Sequence, residues 1–204
     1  MVITTSELVY INEAAKALKQ KDFILINNAI IGIDEIYNMV TYILLDTNFI
    51  SNYFDGIIIN QRALSAFIKT LSIESDFKFG SVNNIIRTIS GGELLLRYDP
   101  SIMKMADSRF KYALELNNIQ PTIQETDASD IASQIQSMKS ADGAMGVNFN
   151  GYFMTLFPSF LPLNKNDKMY ISILDQPFYN TFIAKFHIKK KKFDIITYIH
   201  YIKV

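Results

Sequence analysis

Residues 54–72 read FDGIIINQRALSAFIKTLS and place a short strand directly before a helix. The isoleucine run from Gly56 to Asn60 is typical of a buried strand. From about Gln61 to Ser72, apolar residues recur at intervals of three and four, as on one face of a helix. They are Leu64, Phe67, Ile68 and Leu71. This stretch favours a fold in which amphipathic helices lie on one side of antiparallel strands.

The N-terminal residues predict a second amphipathic helix, from about Thr5 to Gln20. Thr4 and Glu7 have the spacing of a capping box, which marks a helix start. The apolar face consists of Leu8, Ile11, Ala15 and Leu18. The polar residues Asn12, Lys16 and Lys19 fall on other sides, where we expect solvent.

Two further segments have helical or possibly helical spacing. Asp127 to Ser140 predicts a third amphipathic helix. Gln176 to Ala184 fits either a short helix or a loop that leads into a strand. Strands are predicted at residues 23–33, 38–46, 56–60, 76–79, 85–90, 93–98, 102–106, 109–116, 144–156, 169–174, 181–188 and 193–204. Gly91-Gly92 predicts a hairpin turn.

The order helix, strands, helix, strands and then a restart predicts two domains. Residues 119–125 contain a proline and few large apolar groups, as in a linker. We therefore expect an N-terminal domain at 1–118 and a smaller C-terminal domain at 126–204. Each would be an α+β unit of helices and antiparallel sheet.

Composition excludes several classes of function. The 204 residues are 49% apolar, which is typical of a packed globular protein. The 20 basic and 20 acidic side chains balance, whereas a dedicated high-affinity DNA binder normally has a basic surplus. Without cysteine there is no thiolate chemistry, and two histidines, His187 and His200, make a poor metal site even as cross-strand neighbours. The start of the chain does not resemble a signal peptide, and no run is long enough to cross a membrane, so a soluble protein is expected.

No pattern typical of an enzyme is present, and no cofactor is expected. The phosphate-binding glycine motifs and the GxSxG elbow are missing. The adjacent acids Asp34 and Glu35 are typical of a turn. Asp127 and Asp130 complement the dipole of the third helix.

The basic residues give the stronger signal. Residues 164–204 contain eight lysines and three aspartates, and Lys189 to Lys192 form a run between two alternating apolar segments. That run predicts a hairpin turn, either merely solvated or in contact with phosphate. Further cations lie on the polar faces or ends of the helices, namely Lys16, Lys19, Lys21, Arg62, Lys69 and Lys139. Such residues usually serve solubility, unless helices of several subunits line a common channel.

Four segments resemble the sliding clamps of T-even-type phages. They are SELVYINEAAKAL at 6–18, FDGIIINQRALSAFIKTLS at 54–72, IMKMADSRFKYALEL at 102–116 and FDIITYIHYIKV at 193–204. The third resembles the strand pair that closes the first clamp domain. The likeness is one of pattern and covers most of residues 1–116, whereas the second half is short for a clamp domain and lacks a clear second helix.

The resemblance implies a sliding clamp, a processivity factor of DNA replication that closes as a homotrimeric ring around duplex DNA. Its implied partners are a DNA polymerase, an ATP-driven clamp loader and copies of itself, in the cytoplasm of an infected bacterium if a phage encodes it. Loose contact with the DNA backbone would come from Lys16, Lys19, Lys21, Arg62, Lys69, Lys139, Lys189, Lys190, Lys191 and Lys192. Partner peptides would dock near Leu116, Ile119 and Tyr201.

Two other classes of function stay open on sequence grounds. A β-rich phage structural protein or oligomeric adaptor would share the aromatic strands and the balanced charge. A small enzyme acting on nucleic acid would need carboxylates clustered in a pocket. A clamp gathers its basic residues on one side, whereas an adaptor scatters them and exposes an apolar docking patch.

Overall fold

The computed structural model describes residues 2–32, 39–50, 54–71, 76–78, 85–87, 93–139, 143–176 and 181–202. The chain forms two compact units. The first comprises Met1–Glu35 and Tyr42–Lys111, and the second Ile36–Thr41 and Tyr112–Val204. Helices and antiparallel strands occur in both units, so the predicted α+β class is confirmed.

The first unit contains two helices and most of the short strands. Its elements are β1 (Val2–Thr4), α1 (Thr5–Leu18), β2 (Asp22–Asn27), β3 (Ala29–Gly32), the end of β4 (Met39–Leu45), β5 (Phe54–Asn60), α2 (Gln61–Ile68), β6 (Asp76–Lys78), β7 (Ile85–Arg87), β8 (Glu93–Leu95) and the start of α3 (Pro100–Asn117). The order of the larger set of strands is β5-β2-β3-β4, while β1 pairs with β6 and β7 with β8. All of these pairings are antiparallel.

Helix α1 begins as predicted. The Thr4 hydroxyl accepts a hydrogen bond from the Glu7 N–H at 3.1 Å, and the Glu7 carboxylate accepts one from the Thr4 N–H at 2.8 Å. The helix ends at Lys19, whose φ of 58° lies in the left-handed region. The capping box is confirmed, and the helix is two residues shorter than the predicted Thr5–Gln20.

Helix α3 replaces two predicted strands, 102–106 and 109–116, and that part of the prediction is wrong. Its buried residues are spaced by three and four, namely Met103, Ala106, Phe110, Ala113 and Leu116. The Asp99 carboxylate accepts hydrogen bonds from the N–H groups of Ser101 at 2.9 Å and Ile102 at 3.2 Å. An aspartate cap followed by proline at the first helical position is a strong start signal. It outweighs the strand preference of isoleucine and the aromatic residues.

Strand β5 contains a glycine with two constraints on it. Gly56 has a φ of 101° and lies where the pairing between β2 and β5 shifts register. A Cβ atom at this position would lie 2.6 Å from Sδ of Met103 in α3. The backbone conformation therefore favours glycine, and any other residue would also have to displace the Met103 side chain.

The second unit contains the end of α3 and one further helix. Its other elements are β9 (Ile123–Asp127), α4 (Ser129–Met138), β10 (Met145–Phe149), β11 (Tyr152–Leu156), β12 (Lys168–Gln176), β13 (Thr181–Lys189) and β14 (Phe193–Ile202). Its strands are ordered β14-β13-β12-β9, and β10 pairs with β11. The division between the units falls within α3, and residues 123–125 of the predicted linker are part of β9. The domain limits 1–118 and 126–204 stay a prediction.

Two predicted long strands are hairpins. Asn27, with a φ of 52°, ends β2 at the turn into β3. Asn150-Gly151, with φ values of 47° and 86°, connects β10 to β11. Asn-Gly is the preferred dipeptide for a two-residue hairpin turn because both residues tolerate positive φ.

The helical alternative for 176–184 is wrong at its described residues, because Gln176 ends β12 and Thr181–Ala184 begin β13. Asp34, Glu35 and the Gly91-Gly92 turn lie outside the described residues.

Across the described ranges, no helix combines the length and the apolar character that a membrane span requires.

Candidate nucleic-acid interface

Helices α1 and α2 each bury one side and expose the other. Leu8 and Ile11 of α1 and Leu64 and Phe67 of α2 are buried. The lysine and arginine side chains of both helices are on the exposed sides. The two apolar faces therefore fix which side of each helix meets the solvent.

A polar bridge joins the two helices. The Ser65 hydroxyl donates to Oδ1 of Asn12 at 2.8 Å, and the Gln61 amide donates to Ser65 at 2.9 Å and to Asn12 at 3.4 Å. Asn12 is 6% exposed, although the sequence predicted that it faces solvent. Because a buried amide needs its partners, the bridge fixes the register of α1 against α2.

Five of the predicted DNA contacts lie on this helix pair or just beyond its C-terminal ends, and all five are exposed. They are Lys16, Lys19, Lys21, Arg62 and Lys69, and we call them the basic stripe. The nearby carboxylate of Asp22 is already bound, by Arg97 at 2.9 Å and by the Asn60 amide at 2.9 Å. The stripe offers exposed positive charges that suit weak contact with phosphate.

Lys139 has different surroundings. Its ammonium donates to the backbone carbonyl oxygens of Leu161 at 2.8 Å and Leu163 at 2.7 Å. Leu161 and Leu163 are buried, so Lys139 ties the end of α4 to a buried loop. This geometry favours a structural role over the predicted contact with DNA.

The predicted turn at the lysine run is present between β13 and β14. The Lys190 N–H closes this turn by donating to the Phe193 carbonyl at 3.1 Å. The ammonium of Lys189 lies 4.4 Å from the centre of the Tyr170 ring and 3.9 Å from a Glu125 oxygen. Lys190 pairs with Asp167, and both side chains are almost buried. Lys191 is exposed and Lys192 is half-buried. The run is therefore not a uniform cationic surface.

The three residues predicted to bind partner peptides are not equivalent. Leu116 is buried in α3, and Ile119, 40% exposed, donates its N–H to the Leu116 carbonyl at 3.2 Å. Tyr201 is half-buried and stacks on Phe182 with 5.3 Å between ring centres. Burial raises the pKa of the Tyr201 phenol. Only Ile119 is open to a peptide without rearrangement.

The two histidines are not cross-strand neighbours, because His187 is opposite Ile196 and His200 is opposite Ile183. Nδ1 of His187 lies 2.9 Å from a Glu125 oxygen, and Nε2 lies 3.1 Å from an Asp194 oxygen without hydrogen-bond geometry. These carboxylates contact opposite ring nitrogens, which does not suit chelation. Within the ranges that the structure describes, no group of three or more potential metal ligands occurs.

A second set of contacts holds the end of α3 on the second unit's sheet. The Tyr112 ring stacks on His200 at 5.8 Å, with its hydroxyl 3.2 Å from Nε2, and Lys185 donates to the Asn117 amide oxygen at 2.8 Å. Burial lowers the pKa of both His200 and Lys185, while the Glu125 carboxylate partly opposes the shift at Lys185. These groups stabilise the fold and leave the basic stripe as the candidate interface.

No protein-family model matches the chain, and no curated protein matches it either. Solved structures do. The DNA polymerase sliding clamp from Pseudomonas aeruginosa with ligand matches 98% of this chain and 63% of its own, at 10% identity and a TM-score of 0.51. The Helicobacter pylori beta clamp in complex with carprofen matches 96% of this chain and 62% of its own, at 9% identity and a TM-score of 0.46.

The chain has a sliding-clamp fold. This assignment rests on the Pseudomonas structure, whose similarity extends over both units. The chain spans about 63% of the length of that clamp. The sliding-clamp fold was predicted from the sequence and is confirmed, whereas the likeness to the T-even-type subfamily stays a prediction.

Sequence reasoning missed three features of this clamp fold. The polar bridge at Asn12 was missed because asparagine next to exposed lysines is normally solvated. Helix α3 had a detectable signal in Asp99-Pro100 and the spacing of its apolar residues. The β10–β11 hairpin also had a detectable signal, the turn dipeptide Asn150-Gly151.

Proposed function

We propose that this chain is a processivity factor of DNA replication that forms a ring around duplex DNA and tethers the replicative polymerase. The single observation that carries the proposal is the clamp fold over 98% of the chain. The basic stripe supports it, since five exposed cations on the helix pair and at its ends suit a duplex that must slide. Strong phosphate contacts would slow that movement.

The proposal extends to the assembly. Two units per chain fit the three-chain ring of the T-even-type phage clamps that the sequence resembles. The partners in this proposal are duplex DNA, a DNA polymerase, an ATP-driven loader and two further copies of the chain. The protein would act without catalysis or cofactor, in the cytoplasm of a bacterium, an infected one if a phage encodes the chain.

DNA contact is proposed for the basic stripe in the first place. Lys191 is a secondary candidate because it is exposed at the β13–β14 turn. Lys139, Lys189 and Lys190 have weaker support because each is engaged within its own unit, and Lys192 has weaker support because it is half-buried. For partner peptides, Ile119 is the most accessible of the three predicted residues.

The test compares circular with linear DNA of the same sequence, with the cognate loader and ATP supplied. A ring is expected to stay on closed circles and to leave linear molecules from their ends. The mass of the assembled protein is measured under native conditions in parallel, and three chains are expected. Equal loss from circular and linear DNA would contradict a topological link.

An oligomeric adaptor is the second candidate function, and one observation favours it. Phe153, Phe157 and Phe160 are 64%, 48% and 40% exposed, and exposed aromatic side chains of this kind suit docking. An adaptor would assemble in the same way but would show no preference for circular DNA. Assembly without such a preference would therefore support the adaptor over the clamp.

A further inference from the structure

The β10–β11 hairpin lacks the charges that normally protect an exposed sheet. Residues 143–164, GAMGVNFNGYFMTLFPSFLPLN, contain no charged side chain. Natural proteins keep open strand edges from pairing with other chains by placing lysine or another charge on them. In the described part of the chain, β10 and β11 pair only with each other. This hairpin is therefore suited to a partner that covers it.

Aromatic side chains project from this hairpin and from the loop that follows it. Phe153 is 64% exposed, Phe157 48% and Phe160 40%. The Phe153 ring lies across Gly146, so closely that a Cβ there would be 2.6 Å from Cζ. The rings of Phe157 and Phe160 are 5.3 Å apart. We call these three residues the phenylalanine patch.

A second exposed apolar surface lies on the first unit, next to β8. Leu95 is 56% exposed and Tyr98 62%. They border a groove of about 370 Å³ that Ile58 and Ile102 also line. Arg97 and Asp99 also line the groove, so it combines apolar with charged side chains, as protein interfaces do. We call this surface the β8 groove.

The two surfaces have matching properties. Among the described residues, the three most exposed large apolar side chains are Phe153, Tyr98 and Leu95, and they are divided between the two surfaces. The patch belongs to the two-stranded sheet β10–β11, which is marginally stable by itself. The groove lies where β8 continues to Arg97, whose backbone pairs with Ile58 of β5. Both surfaces gain apolar burial from a partner of the same kind.

We propose that the phenylalanine patch of one copy of this chain docks in the β8 groove of the next copy. The contact is heterologous, because the two surfaces lie on different units of the chain. Repetition of one heterologous contact produces a closed ring when the rotation allows closure. The inference rests on the proposed function and assigns residues to the contact that a ring of this chain requires.

The experiment uses charge substitutions in the full chain. Phe153→Glu and Phe157→Glu each disable the patch, and Leu95→Glu and Tyr98→Glu each disable the groove. Leu114→Glu, at a residue of α3 that is 41% exposed, is the matched control. Each surface has two variants, so one that unfolds on heating earlier than the control can be set aside. Assembly is measured by sedimentation velocity over a range of concentrations.

Each patch or groove variant is expected to weaken self-association by roughly tenfold or more, as for aromatic residues at the centre of an interface. The control is expected to assemble like the unchanged chain. A mixture of Phe157→Glu and Tyr98→Glu chains tests the pairing directly. Each mixed pair retains one intact patch and one intact groove, so the mixture is expected to form dimers that grow no further.

The outcomes separate this inference from the proposed function. If the unchanged chain assembles and is retained on circular DNA but the variants assemble equally well, the contact is elsewhere and the clamp proposal stands. If only one of the two surfaces matters, or if the mixture stays monomeric, the pairing of patch with groove is overturned. A chain that is monomeric at every concentration overturns both.

Discussion

In the first unit, Lys16, Arg62 and Lys69 extend from helix faces into solvent, whereas in the second unit Lys139 and Lys190 are bound to oxygen atoms of that unit. The two groups are alike in sequence, since each lies on a polar helix face or near a turn. They differ in what surrounds the ammonium. An exposed lysine can approach DNA at little cost, whereas a lysine that satisfies buried oxygens must first leave them.

The difference shows how a basic residue should be assigned to DNA contact. A position on a polar helix face is necessary for contact with DNA but not sufficient, because the groups around the charged end of the side chain decide whether it is available. Lys139 and Lys190 of the second unit contribute to folding, whereas the exposed cations of the basic stripe are available for DNA. The four predictions below test this division, from the largest expected effect to the smallest.

Lys190 and Lys191 provide a comparison of neighbours. Lys190→Met leaves the Asp167 carboxylate, 10% exposed, without its ion-pair partner and with the Asn164 N–H as its remaining donor. We expect a loss of about 2–4 kcal/mol in the free energy of unfolding. Lys191→Met, at an exposed position, is expected to change it by less than about 0.5 kcal/mol. Urea unfolding of the full chain measures both. Equal effects would contradict the division between bound and available lysines.

Lys139 tests the same division at a helix end. Lys139→Met keeps most of the aliphatic chain but leaves the carbonyl groups of Leu161 and Leu163 without this donor. We expect a loss of about 1–3 kcal/mol in the free energy of unfolding, the cost of an unsatisfied buried acceptor. Lys16→Met on α1 is the control and should be nearly neutral. A neutral Lys139→Met would return Lys139 to the DNA-contact candidates.

The basic stripe is tested by charge reversal at three positions, Lys16→Glu, Arg62→Glu and Lys69→Glu together. We expect weaker association with duplex DNA by roughly tenfold and a shallower salt dependence, because fewer counterions are released. Unfolding should be almost unchanged, since all three side chains are exposed. Lys104→Glu, on the exposed face of α3 in the same unit, is the control. Equal loss of binding in the control would indicate an effect of net charge alone.

The smallest expected effect is a pH dependence at His200. Burial lowers the pKa of His200 in the folded chain, so below the ordinary imidazole value of about 6.5 the unfolded chain binds more protons. The contribution of His200 to stability is therefore present above that pH and decreases as the pH falls. Urea unfolding at pH about 7.5 and about 5.5 should show a larger decrease for the unchanged chain than for His200→Asn. An equal decrease in both would contradict the expected contribution.

The fold could be predicted from the sequence wherever periodicity and local chemistry agreed. Helices α1, α2 and α4 lie where the spacing of apolar residues predicts helices, and Thr4 with Glu7 marks the start of α1 to within one residue. The prediction failed at α3, where strand-preferring side chains occupy a helical pattern. It also failed at Asn27 and Asn150, where positive φ turns one predicted strand into two.

The candidate site could be predicted only in part. The identity of the basic residues follows from the sequence, and so does the exposure of those on α1 and α2. The hydrogen bonds from Lys139 to two carbonyl groups do not follow from the sequence, because Leu161 and Leu163 are more than twenty residues away. The β8 groove is likewise assembled from Ile58 on β5 and Leu95 on β8. Contacts between distant parts of the chain carry no local signal.

Gly56 limits the substitutions that this chain can accept during evolution. Its left-handed backbone and the sulfur atom 2.6 Å from any added Cβ act independently, so a substitution that relieves one leaves the other. Replacing Met103 by a smaller residue would make room for a side chain but would not alter the φ of residue 56. We therefore expect Gly56 to be retained among homologues of this chain even where residue 103 varies, and we expect alanine at position 56 to be purged by selection.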